Sequence, residues 1–419
     1  MLNRTGTDLI NTGVREGFNT REHLRNAERQ AQDRGFDKFT IVDVDAHHYE
    51  MDHWPAIIKY IEDPVIRHRA EAAIHSSDPA RTILHNSPLP QNMAGRILRE
   101  RYRRGEPTDG DTHHEVSVIR RQMKAIGIDY QVVFPTPMLE LGLHPDPLIE
   151  IAVSWAYTRW FTEEVLADDP AIKTMVYLPM NDVRASLRTI EQFGGKPGVV
   201  GFMITSGRFQ AIHSNKYVPV FRALEERGYP LGFHAIHNAK ERMFEGMNRF
   251  ISVHALGFVF YNMVHMTNWV INGLPERYPN LKVIWIESGL AWVPFLMQRL
   301  DNEFLMRSSE APLLQRRPSE YMGEMYYSTQ PMETVDLQTL QQTMRMINAE
   351  TQLMFASDYP HWDFDLPSTV CDLPFLSQEA KLNILGRNAV RLFGKEHFDA
   401  EVDLGTAVEG NGRARVSQQ

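Results

Sequence analysis

Ile41-Val42-Asp43-Val44-Asp45-Ala46-His47-His48-Tyr49-Glu50 starts as a β-branched strand and ends in a crowd of potential metal ligands. Side chains two apart on a strand share a face, so Asp43, Asp45 and His47 point one way and Val42, Val44 and Ala46 the other. An Asp-x-His pair at a strand end can chelate a divalent ion through a carboxylate oxygen and an imidazole nitrogen at about 2.0 to 2.2 Å. Taken alone, the run reads equally well as a strand followed by a loop, with Asp45 as a cap and His47 and His48 as ordinary loop histidines.

Working outward, short apolar runs alternate with helical stretches. Strands are expected at Thr40–Val44, Tyr130–Phe134, Thr174–Leu178, Val199–Ile204, Pro230–His234, Lys282–Ile286, Met325–Ser328 and Leu353–Ala356. Amphipathic helices separate most of them, the rhythm of βα units around a parallel sheet. No Gly-rich dinucleotide loop follows a strand, so a closed TIM (β/α)8 barrel is favoured over an open doubly wound sheet. In a barrel of this kind the active site lies at the C-terminal ends of the strands.

The barrel is expected over residues 39–395, preceded by an N-terminal helical extension at 1–38 and followed by a tail at 396–419. In the extension, Thr20 to Arg34 is strongly helix-forming but has few apolar positions, as expected of a surface helix or an arm on a partner subunit. A Pro-, Asp- and Gly-punctuated stretch at about 51–112 reads as an insertion of helices and loops after the first strand. Ser377 to Leu392 has the apolar spacing of a terminal helix.

Composition bounds the chemistry. A 419-residue chain with 43% hydrophobic residues can bury a large core. A formal net charge of -9 argues against nucleic-acid or anionic-membrane partners. Cys371 is the only cysteine, so a metal would be held by His, Asp and Glu. The charged N-terminus and the lack of a long apolar run are the pattern of a soluble, cytoplasmic protein.

Ligand-type residues recur where the later strands end. His234 closes the fifth, with His237 beyond it; Glu287 closes the sixth; Asp358 follows the eighth, with His361 and Asp363 next. A lone histidine there is usually a packed one, and a lone aspartate usually caps a helix. Five such residues on one rim, Asp45, His47, His234, Glu287 and Asp358, favour a metal site.

The chain resembles the amidohydrolase superfamily, in the branch of the aromatic acid and aminocarboxymuconate semialdehyde decarboxylases. The likeness rests on Val44-Asp45-Ala46-His47, Gly232-Phe233-His234, the segment Arg277-Tyr278-Pro279-Asn280-Leu281-Lys282-Val283 with Glu287-Ser288-Gly289-Leu290-Ala291-Trp292-Val293-Pro294, and Ser357-Asp358-Tyr359-Pro360-His361. It implies that Asp45 and His47 are the first-strand ligand pair, His234 the fifth-strand ligand, and Asp358 the eighth-strand aspartate that binds metal or handles a proton. Glu287 stands where many members of the superfamily carry a histidine. The fourth strand has no lysine to bridge two metals, so a second ion would be bridged by a carboxylate such as Glu287 or Asp45.

The resemblance implies one or two divalent ions, and the carboxylate-rich set favours manganese or iron while leaving zinc open. It also implies an enzyme acting on a small carboxylated substrate, by decarboxylation or by hydrolysis. In the first case Asp358 or His361 protonates the carbon that loses carbon dioxide; in the second Asp358 is the general base, with His234 as electrophile. Two alternatives differ in class. One is a dinuclear iron or manganese monooxygenase that also uses Asp43, His48 and Glu50; the other is a catalytically silent subunit paired with an active paralogue. A homo- or hetero-oligomer is expected in any case. His254 and His265 share a face of one helix and are expected to pack there, though either could reach the pocket, and Arg159 and Arg208 read as surface arginines.

Overall fold

The computed structural model describes residues 20–74, 105–207, 210–236, 244, 247, 249–361 and 363–398. Eight parallel strands lie in sequence order: β1 Val42–His48, β2 Tyr130–Pro135, β3 Ile172–Tyr177, β4 Val199–Thr205, β5 Leu231–His234, β6 Val283–Ile286, β7 Tyr326–Ser328 and β8 Leu353–Met354. Every strand residue is buried. Parallel strands covered on both faces have no solvent side, which is why runs such as β4 and β6 are near-continuously apolar instead of alternating, while β1 carries buried Asp43, Asp45, His47 and His48.

Helices fill the outer layer. In chain order the longer ones are α1 Thr20–Arg34, α2 Pro64–Ile74, α3 His114–Ile126, α4 Pro147–Trp160, α5 Val183–Phe193, α6 Val218–Arg227, α7 Phe250–Ile271, α8 Trp292–Arg307 and α9 Leu337–Met346. Asp146, Asp182 and Asp336 start α4, α5 and α9 by accepting a hydrogen bond from a backbone N–H of the first turn. The expected N-terminal helix is α1, and it packs on α3 of the same chain with Ala27 and Ala31 buried. Its last residue, Arg34, pairs with Asp372. Within the expected insertion, the described residues form three short helical pieces after β1, Glu50–His53, Trp54–Ile57 and Ile58–Tyr60, and then α2; residues 75–104, and the tail beyond 398, lie outside the described residues.

Most strand bounds differ from expectation by a residue or two, β3 beginning at Ile172 and not Thr174; the differences that shape the site lie at the seam where the barrel closes. β1 runs on to His48, four residues past the expected end, because its polar half still pairs: Ala46, His47 and His48 are in register with Val133, Phe134 and Pro135. An extra residue between Asp43 and Ala46 makes a bulge there. β8 is correspondingly shorter than expected. Past Met354 its backbone turns to β1, with Val44 N–H donating to Phe355 O (2.9 Å), Asp358 N–H to Asp45 O (2.7 Å) and His47 N–H to Tyr359 O (2.7 Å).

The expected terminal helix is present in three pieces, Gln378–Leu382, a π-helical turn Asn383–Arg387, and Asn388–Phe393. Within the π turn, Ile384 O accepts Phe355 N–H at 2.8 Å, and Asn388 Nδ2 donates to Leu353 O at 2.8 Å, so the outer edge of β8 is sealed. A Cβ on Gly386 would stand 2.4 Å from Thr40 O. Only glycine lets this turn approach the start of β1.

Candidate metal centre at the barrel mouth

Asp45 and His47 project from the last turns of β1, His234 ends β5, Glu287 follows β6 by one residue, and Asp358 follows β8 by four. The ligand-capable atoms of Asp45, His47, His234 and Glu287 all lie within 4.8 Å of one another, and a second such group, His47, Asp358 and His361, shares His47 with the first. All six residues are buried. His47 Nε2 lies 3.4 Å from Asp45 Oδ1 and 3.3 Å from Asp358 Oδ1; His234 Nε2 lies 3.3 Å from Asp45 Oδ1. His361 Nδ1 is 2.7 Å from Asp358 Oδ1 and 3.9 Å from Glu287 Oε1.

The imidazoles are aimed by their far nitrogens. His47 Nδ1 donates to Pro135 O (3.3 Å) and His234 Nδ1 to Ala235 O (2.9 Å). A carbonyl can only accept, so each Nδ1 carries the proton and each Nε2 turns a lone pair to the centre, the tautomer a metal needs. Both carboxylate oxygens of Asp45, and His234 Nε2, are buried without a hydrogen bond. Leaving such atoms dry costs several kcal/mol, a cost a divalent cation would remove. The donor set therefore fits a metal, with two nitrogens and up to three carboxylates.

Glu287 and Asp358 both have φ of 57°. Left-handed backbone costs a non-glycine residue about 1 to 2 kcal/mol, and such strain persists where the surroundings hold it in place. Ser328 Oγ accepts Glu287 N–H (3.0 Å), and Asp45 O accepts Asp358 N–H. Two residues beyond Glu287 the chain is left-handed again, at Gly289 with φ of 70°, and the Glu333 carboxylate caps the start of α8 by accepting Leu290 and Ala291 N–H. This turn is what the Glu287-Ser288-Gly289-Leu290-Ala291 run encodes.

Burial raises the Asp358 carboxyl well above the ordinary range; His47 opposes this, and the charges of Asp45 and Asp363 add to it. Burial also pushes Asp45 up, but the His234 and His47 imidazoles outweigh it and hold Asp45 below the ordinary range. Burial, reinforced by the nearby His361, holds His47 low.

Of three residues left open by the sequence, Asp43 and Glu50 hold backbone and His48 packs outward. Asp43 accepts from Asp45 N–H, Ser357 N–H, Ser357 Oγ–H and, across the β1–β2 register, Gln131 Nε2. Glu50 accepts Met138 N–H (2.7 Å) and Thr136 N–H (3.0 Å), tying the turn after β1 to the end of β2. His48 points to the outer layer, where Nε2 meets Tyr157 OH at 2.8 Å and the ring stacks on Trp160. None of the three belongs to either central group.

The remaining candidates stand apart. His265 Nε2 donates to Ser206 O (2.6 Å) and His254 Nε2 lies 3.7 Å from Asp363 Oδ2, so both help pack α7. Arg159 pairs with Glu163 and lies over the Tyr60 ring, on the outside of the barrel. His237 and Arg208 fall outside the described residues. The reach of Asp43 to both Asp45 and Ser357 was not readable in the sequence; its only trace there is an aspartate two residues before the Asp-x-His pair.

The amidohydrolase family model matches residues 42–395, so this chain belongs to the amidohydrolase family. No curated protein matches it by sequence. Among solved structures it is similar to 5-carboxyvanillate decarboxylase from Sphingomonas paucimobilis, at 20% identity and a TM-score of 0.62 over 85% of this chain and 99% of that one. A dihydroxybenzoic acid decarboxylase from Polaromonas sp. JS666, solved with bound manganese and 2-nitroresorcinol, matches at 18% identity and a TM-score of 0.58 over 85% and 97%. An amidohydrolase from Mycobacterium avium subsp. paratuberculosis K-10 matches at 18% identity and a TM-score of 0.64 over 85% and 99%. At these identities the likeness establishes the fold. Among the described residues no helix is long and apolar enough to cross a membrane.

Proposed function

We propose that this chain is a metal-dependent decarboxylase of a small aromatic carboxylate. Asp45, His47 and His234 hold the ion, manganese being the first candidate, with the carboxylates of Glu287 and Asp358 completing the set. The observation that carries this is the buried convergence of Asp45 and His234 atoms that make no hydrogen bond. The aromatic carboxylate is suggested by the substrates and inhibitors of the similar structures.

A bound divalent cation would supply Lewis-acid polarisation of the substrate carboxylate and an adjacent oxygen. The protein's own part is orientation and proton handling. His47 and His234 are fixed by their carbonyl bonds, and Asp45 is fixed through its N–H to Asp43. As the bond to the departing carboxyl breaks, its electron pair stays on the ring carbon, which takes a proton in exchange for carbon dioxide. The proton held between Asp358 Oδ1 and His361 Nδ1 is the one at hand, and general-acid groups of this kind contribute about 10² to 10⁴ in rate. With Asp43, His48 and Glu50 committed elsewhere, a second ion built on them loses its support.

The test combines metal analysis with a carbon dioxide release assay over hydroxylated and methoxylated benzoates. The manganese-loaded protein should release carbon dioxide, His234→Ala should lose the ion, and His361→Asn should keep it while losing about 10² or more in rate. Hydrolysis of amides or lactones without carbon dioxide release would move the chain to the hydrolases. Oxygen uptake would make it an oxygenase. Full metal occupancy in His234→Ala would refute the ligand set.

A further inference from the structure

The described residues contain one more group of ligand-type side chains, His53, His114 and Glu115, whose donor atoms also lie within 4.8 Å of one another. It stands outside the barrel mouth. His53 ends the short 3-10 turn Glu50–His53 that follows β1, and His114 and Glu115 open α3. We propose that His53, His114 and Glu115 form a second, outlying site for a zinc-like divalent cation that staples the turn after β1 to the first turn of α3.

The donor chemistry supports it atom by atom. His53 Nε2 and Glu115 Oε2 are 2.9 Å apart. Two ligands of a tetrahedral zinc with bonds of about 2.0 Å sit roughly 3.3 Å apart, so the pair opens by only a few tenths of an ångström to admit the ion. His114 Nε2 donates to Glu106 O at 3.1 Å, which places its proton on Nε2 and leaves Nδ1 as the ligand atom. His113, although adjacent, is not a ligand. Its Nδ1 accepts Glu115 N–H (3.1 Å) as the cap of α3, and its Nε2 is turned to Glu164 Oε2 at 3.8 Å.

Two imidazoles and one carboxylate are a common zinc complement that leaves a fourth position for water. The pocket is walled and partly dry: Glu115 is buried, and the His53 ring stacks on Trp160 with 5.2 Å between centroids. The anionic Glu115 also neutralises half the charge of the incoming ion. Trp160 also stacks on His48, at 5.9 Å, whose Nδ1 lies 3.9 Å from Glu115 Oε1. His48 adjoins His47 in β1, so the outlying ion would brace the strand that carries the central pair.

Zinc alone is the probe, added to the full metal-free chain and read by metal equivalents and by the thermal midpoint. His234→Ala disables the centre and isolates the outlying site. In that background one equivalent of zinc should bind and raise the midpoint. Adding His114→Ala, or independently Glu115→Gln, which keeps the shape and the partner of His53, should weaken that binding at least tenfold and erase the rise. If His234→Ala binds no zinc, or if zinc binding and the rise are the same with and without His114→Ala and Glu115→Gln, the outlying site does not exist. Failure of the central centre would show differently, as undiminished metal in His234→Ala that drops by one equivalent on adding His114→Ala.

Discussion

Asp43 and Asp45 are two buried aspartates, two positions apart on one strand, and their surroundings treat them oppositely. Burial lifts the Asp43 carboxyl to about 7 against the pull of its Ser357 and Gln131 hydrogen bonds, whereas the imidazoles around Asp45 overcome the same burial. Asp43 is satisfied by protein donors; Asp45 makes no hydrogen bond through either side-chain oxygen. Removing them should therefore be felt in different ways. Asp43→Ala strands the Gln131 amide and the Ser357 hydroxyl in the core, at about 1 to 3 kcal/mol per unpaired group, so the midpoint of the metal-free protein should fall by several degrees. Asp45→Asn should leave that midpoint close to the parent and abolish the rise expected on adding manganese, since such a rise would come only from ion bound to the folded state. Matching midpoint losses in calorimetry of the two metal-free variants would contradict this division of labour.

Among elements, the middle strands were legible because a parallel strand covered on both sides has to be an unbroken apolar run, as in Val199–Thr205 and Val283–Ile286. The seam strands were not. β1 continues through Asp45, His47 and His48, residue types that read as a loop, and β8 gives up its ladder after two residues because its backbone turns to β1 and to the π-helical turn. The central ligand types were legible from their place at strand ends, since the barrel gathers those ends at one rim. The roles of His48 and Glu50 were hidden, because a bulge decides where side chains near it are aimed and leaves no mark in the sequence. His53, His114 and Glu115 were hidden for another reason: only the packed fold brings a post-strand turn onto the start of a helix. The π turn supplies an element-scale prediction. Gly386→Ala drives a methyl into Thr40 O, so the terminal helix must back away from β1. A loss of about 1 to 3 kcal/mol is expected in denaturant unfolding, and an unchanged midpoint would show that the turn has room to yield.

For the whole molecule, the barrel is held shut at one place by different means from the rest. Elsewhere neighbouring strands pair in parallel register, interrupted by bulges in β1–β2 and β3–β4, but β1 and β8 meet through single bonds from Val44, His47 and Asp358. Those three amides belong to, or adjoin, the residues gathered around the candidate ion. The centre thus sits astride the closure of the barrel, and an ion there would act as a clasp on the fold as well as a reagent. The signature would be local and slow: on chelation, amide deuterium uptake should accelerate at Val44, His47 and Asp358 while Phe202 and Phe233 on the far wall stay protected. Uniform acceleration would place the clasp elsewhere. A catalyst built this way could not lose its ion quietly, because an empty centre would advertise itself to proteases as an opened barrel.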